Sequence, residues 1–181
     1  MASRKELSAK DICIDMLDIA DINFVSNLQG LKPEDVNVKA HSDINSIKTI
    51  VRHCARQMDR TIETYSIERV MRDKKEYSFE EIIDMYLQIS QSFFGLLKEL
   101  PIEAFNDNPG GTGEILNKRI QRIALHYLGH TGQVVLIRKM LGRGISGAYG
   151  FVKAMSIPTR KKIRKEWLDW WNGTKESFSQ V

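Results

Sequence analysis

The feature that most constrains this chain is the spacing of its apolar residues, which recur three and four apart through long stretches and show no useful run of polar-apolar alternation. A period near ~3.6 residues builds amphipathic helices, and the missing period of two argues against strands. The spacing predicts a first helix over 5–28, with Leu7, Ile14, Leu17, Ile22 and Val25 on one side and Gly30 and Lys32-Pro33 ending it. A second, over 46–72, carries Ile47, Val51, Cys54, Met58, Ile62 and Tyr65, with Asn45 or Ser46 placed to cap it. The third starts at "SFEE", where Ser78 and Glu81 have capping-box spacing. It continues through Ile82, Met85, Ile89, Phe93 and Leu96 or Leu97 until Pro101.

The strongest loop signal, "NDNPGGTG" at 106–113, separates these from a fourth helix over 113–141. That helix carries Leu116, Ile120, Ile123, Tyr127, Val134, Ile137 and Leu141, and ends at Gly142. A C-terminal helix from Thr159 to Asn172 contains Ile163, Trp167, Trp170 and Trp171, whose spacing reads as a docking face. With 181 residues the chain suits one domain. The expected fold is all-α: an antiparallel four-helix bundle over 5–142, with a loop and additional C-terminal helix over 143–181 packed on the same domain.

Composition excludes several function classes. At 42% hydrophobic and 28% charged the chain is neither disordered nor fibrous. A net charge of +4 and a pI near 9.0 invite a nucleic-acid partner. The densest basic run, "TRKKIRKEW" at 159–167, reads instead as a solvated helix flank, with no aromatic-rich binding module beside it. Asp11, Asp15 and Asp18 read likewise as a solvated acidic face. The glycines of "GRGISGAYG", 142–150, follow a helix and lack the spacing of a phosphate loop. Cys13 and Cys54 make no disulfide framework, no signal-peptide pattern is present, and no apolar run reaches the ~20 residues of a membrane span. A cytoplasmic protein with reduced thiols is expected.

The histidines carry the chemistry. His126 and His130 in "HYLGHTGQ" stand four apart, so one helix face presents both imidazoles with Cβ atoms ~6 Å apart. Such a pair suits core filling, helix surface or half a metal site. The glutamate that serves as base in an H-E-x-x-H zinc helix is absent, since Tyr127, Leu128 and Gly129 intervene. His53 lies beside the core stripe of the second helix, on the side of Ile50 and Gln57, where it should point into a groove. A bundle brings helices two and four together, which makes His53 a candidate third ligand. His41 falls in the preceding loop and reads as a surface residue, and Cys54 as core. Gly129 and Gly132 each cost ~1 kcal/mol relative to alanine, so a packing or access reason is expected for them.

The blocks "SIKTIVRH" at 46–53 and "HYLGHTGQVVLIRKMLG" at 126–142 resemble those of the DinB-like (DinB/YfiT) four-helix-bundle metalloprotein superfamily. That superfamily carries one histidine on helix two and an H-x-x-x-H pair on helix four. The likeness in layout covers residues 5–142, and the tail is not diagnostic. It implies one divalent transition metal, zinc or nickel, on His53, His126 and His130, with positions open for substrate. Read from its own position about one turn beyond His130, Gln133 suits either orienting an imidazole from behind or simple helix capping of a core gap. The resemblance further implies a metal-dependent enzyme that activates a low-molecular-weight thiol for S-transfer, or water for hydrolysis, and a homodimer. The alternative is a non-catalytic metal- or ligand-binding dimeric bundle.

Overall fold

In the computed structural model, which describes residues 7–72, 75–144 and 156–181, these periodicities become α1 (Ala9–Ser26), α2 (Ile47–Glu63), α3 (Phe79–Glu99), α4 (Leu116–Met140) and α5 (Ile157–Thr174). Short 3-10 turns punctuate the connections, and no strand occurs among the described residues. Local chemistry sets the helix starts. The hydroxyls of Ser46 and Ser78 accept the amides of Thr49 and Glu81 at 3.3 and 3.1 Å, and Glu81 returns a bond to the Ser78 amide, completing the expected capping box. Ser8 and Asp11 form a further box that opens α1.

The second helix ends well short of the expected 72. After Glu63 the chain turns, Ser66 takes a left-handed φ of 62°, and the buried Asp59 carboxylate accepts the amides of Val70 and Met71 at 2.9 and 3.1 Å. Those amides satisfy a buried charge from outside the helix, so residues 64–72 fold back along α2 instead of extending it.

Helix directions follow from cross-links along the chain. Lys10 of α1 donates to the Lys98 carbonyl near the end of α3, so α1 and α3 run antiparallel. His53 and Cys54 of α2 meet His126 and Tyr127 of α4, while Tyr65, beyond the end of α2, feels the charge of Arg119 near the start of α4; these two also run antiparallel. By contrast α1 and α4 run the same way, with Cys13 beside Asn117 and the Asn27 carbonyl on Arg138. The uniformly antiparallel expectation is therefore corrected for this pair, and for α2 and α3, where Arg52 reaches Lys75 and Glu76 just before α3. The connection 64–78 permits it, because extended chain covers ~3.3 Å per residue whereas the 17-residue α2 is only ~26 Å long.

The expected stripes of α2 and α4 are buried almost throughout, from Ile47 to Ile62 and from Leu116 to Ile137. In α1 the stripe holds at Leu17, Ile22 and Val25, whereas Leu7 is exposed. Among the described residues no helix is long and apolar enough to cross a membrane.

The tail docks as its tryptophans foretold: Trp167 and Trp171 are buried, and the Trp171 indole donates to Asp84 at 3.1 Å. The solvated reading of the flanking charges holds for Lys161, Lys162 and Lys165, which are exposed, and is corrected for Arg160 and Arg164. Arg160, only 4% exposed, pairs with Asp15 and Asp18 of α1, and Arg164 pairs with Asp18 and with the fully buried Asp21 at 2.9 and 2.8 Å. A helix buries such charges only against matched opposite ones, and the acidic face of α1 supplies them. Residues 145–155, which include most of the "GRGISGAYG" stretch, lie outside the described residues.

Candidate metal centre

The i, i+4 spacing on α4 presents His126 and His130 together, and the antiparallel contact with α2 sets His53 against them. Their Nε2 atoms converge: His126 lies 2.8 Å from His53 and 3.0 Å from His130. The three form a group whose ligand-type atoms all lie within 4.8 Å of one another. His126 and His130 are half-buried and the group opens to solvent on one side. His41 takes no part; it sits 66% exposed beside Asp43 in the connection before α2.

Gln133 stands one turn beyond His130, with its carbonyl oxygen 2.7 Å from Nδ1 of that ring. An amide oxygen only accepts, so Nδ1 carries the proton and the Nε2 lone pair faces the other histidines. The sequence had paired this orienting role with simple helix capping; the contact made is the orienting one.

Burial and neighbouring positive charge favour the neutral form of His126 and His53. The pKa of His126 falls to about 4, first through desolvation and then through His130, His53 and Arg122. That of His53 is also lowered, by burial, then His130, Arg56 and Arg60. Neutral imidazole is the form that offers a lone pair to a cation.

Two supporting features escaped the sequence reading. Tyr127, read only as part of the apolar stripe, is fully buried and donates through its hydroxyl to the Cys54 carbonyl at 3.0 Å. This bond ties α4 to α2 one residue from both His126 and His53, fixing the helix separation at the height of the rings. A tyrosine within an apolar stripe signals such a bond, because its hydroxyl needs a partner when buried. The second feature is cationic: Arg56 and Arg60 follow His53 on its face of α2, and Arg122 precedes His126 by one turn. Cys54 is core as expected, its thiol pushed up by burial.

Gly129 and Gly132 bring a surprise. A Cβ built at either meets no atom within 4 Å, so close packing inside this chain does not account for them. Both lie on the outer side of α4 with Leu125, Leu136 and Met140, which are 65%, 53% and 58% exposed.

The arrangement offers imidazole nitrogens converging on one point, one with its tautomer set from behind, on a partly open surface. Compared with known proteins, the chain matches no family model, no curated protein and no solved structure.

Proposed function

We propose that this chain is a metal-dependent enzyme of the DinB-like kind. Its helices α1 to α4 form a four-helix bundle, α5 is an added C-terminal helix, and His53, His126 and His130 hold one divalent transition ion, zinc or nickel. The observation that carries the reading is the convergence of the Nε2 atoms at 2.8 and 3.0 Å. Nitrogens sharing a tetrahedral zinc lie about 3.3 Å apart, so a small outward rotation of the rings suffices to admit an ion. The donor set fits as well: borderline nitrogen ligands, with no carboxylate or thiolate among them.

When bound, an ion with open positions supplies the Lewis acidity that lowers the pKa of a coordinated thiol or water, suiting S-transfer or hydrolysis. The protein's own part is positioning. Gln133 holds the His130 tautomer, burial keeps His126 unprotonated, and the Tyr127 bond to Cys54 holds the two helices at a fixed spacing. The protein works in the cytoplasm on a small molecule. It pairs as a homodimer, a reading supported by the apolar outer side of α4 at Leu125, Leu136 and Met140.

A second reading is a non-catalytic metal-binding bundle. It is favoured by one fact: the ligands come only from α2 and α4, so an ion there would tie those helices together. Turnover separates the two. The metal-loaded protein is assayed with thiols plus electrophiles and with hydrolysable esters and amides. Activity that disappears in His126→Ala supports the enzyme, and metal without turnover across the panel supports the binding protein. Absence of metal under every loading condition sinks both.

A further inference from the structure

From the order of residues along the exposed side of α4 we infer that this side pairs with the same side of a second copy, the two helices antiparallel about a two-fold axis that passes between His130 and Thr131. This rests on the homodimer reading and names the face, the direction and the residues that meet.

Leu125, Gly129, Gly132 and Leu136 are spaced four, three and four apart, so they form one stripe within about 60° of one another around the helix. The leucines are 65% and 53% exposed, and both glycines are exposed. The chain is 28% charged, yet between Arg122 and Arg138 it has no Asp, Glu, Lys or Arg, so this side carries no such side chain to keep it in water. Among the described residues nothing covers the middle of the stripe, since a Cβ built at Gly129 or Gly132 meets no atom within 4 Å.

What points to a second copy, and not to a partner of another kind, is the order. Read from either end, the stripe is leucine, three residues, glycine, two residues, glycine, three residues, leucine. A two-fold interface is one surface meeting itself, so a surface that fits it is complementary to its own mirrored register. Laid antiparallel, Leu125 of each copy meets Leu136 of the other, and Gly129 meets Gly132. The central glycines let the two backbones come close, and the leucines fill the space on either side. This gives a reason for two residues that each cost ~1 kcal/mol in a helix relative to alanine. The charges that frame the stripe do not oppose the pairing. Arg122 and Lys139 mirror each other, but they stand about 100° apart around the helix, on opposite flanks of the stripe, and Glu114 holds Arg122 through two bonds of 2.9 Å.

Sedimentation of the full-length protein from about 1 to 100 µM tests the pairing, a range suited to the small end of stable interfaces. The expected result is a dimer whose dissociation constant rises at least about tenfold in Gly129→Gln and in Gly132→Gln, because a long side chain in the seam holds the backbones apart. Engineered cysteines read the direction, Cys13 and Cys54 being buried. Oxidation of the double variant Leu125→Cys, Leu136→Cys should give a covalent dimer. In either single variant the two new thiols of a dimer lie about 16 Å apart along the seam, beyond the reach of a disulfide, so the covalent dimer should fall at least about tenfold. A dimer that both glutamines leave unchanged, or a double variant that cross-links no better than the single ones, overturns this inference and leaves the homodimer to another face. A monomer across the whole range overturns the homodimer reading and this inference together. Should a glutamine variant fail to fold, the cysteine pattern decides.

Discussion

Two clusters of ionisable groups lie between this protein's helices, and they are built on opposite principles. Along the seam of α1 with α5, Asp15, Asp18 and Asp21 meet Arg160 and Arg164, and the Tyr86 hydroxyl donates to Asp21. Each charge there faces its opposite. Where α2 meets α4, like groups face one another, imidazole against imidazole, with arginine charge reaching the rings. The first arrangement is what a fold needs in order to bury charge. The second gains little for a fold on its own and is suited to a cation, because converging imidazole nitrogens can offer it lone pairs.

The comparison is broken most forcefully at Asp21. Removing one member of a buried pair leaves the other uncompensated, so Asp21→Ala should cost roughly 3–5 kcal/mol in chemical denaturation. His126→Ala should leave the metal-free protein about as stable as before, within ~0.5 kcal/mol. Equal losses at the two positions would erase the distinction.

Next in size is Gln133→Ala. Loss of a group that orients a ligand lowers metal affinity by about 10- to 100-fold. Competition with a chromophoric chelator measures this, and the melting temperature of the metal-free protein should hardly move.

The metal-free protein should also respond to acid. The pKa of His126 is about 4 in the fold against an ordinary 6.5, so between those values the unfolded chain binds more protons. Stability is therefore full above about pH 6.5, declines as pH falls towards about 4, and changes no further below that on this account. Solvent access to the ring damps the effect. Denaturation midpoints across this range, compared with those of His126→Ala, should show a flatter profile in the variant.

The smallest effect distinguishes the outer side of α4 from both clusters. Since nothing in the chain fills the space beside Gly129 and Gly132, alanine at either should stabilise the isolated protein by up to ~1 kcal/mol. Stabilisation joined to loss of self-association in sedimentation would show that the glycines serve a second copy, whereas stabilisation alone would leave them unexplained.

Much of this was legible in the sequence because it is local. The stripes of α2 and α4 are periodic, the box at Ser78 and Glu81 lies within one turn, and the spacing of His126 and His130 is a property of a single helix. His53 was legible only through the assumption that helices two and four meet. What escaped depends on contacts between distant residues. The end of α2 at Glu63 is set by amides of Val70 and Met71 turning to Asp59, although the 64–72 segment taken alone has helical character. The burial of Arg160 requires knowing that α5 lies along the acidic side of α1, since a basic run and an acidic run each look solvated when read singly. The shared direction of α1 and α4 depends on how far the connections carry the chain, which periodicity does not encode.

The central claim is that His53, His126 and His130 together hold one ion, and X-ray absorption at the metal edge of the protein purified without added metal tests it most directly. The account predicts about one zinc or nickel per chain with about three imidazoles in its scattering shell and oxygen or sulfur donors completing it. His53→Ala should remove that signal while the helical circular dichroism stays unchanged. A protein that takes up no metal, or one whose ion is ligated without imidazole, would contradict it.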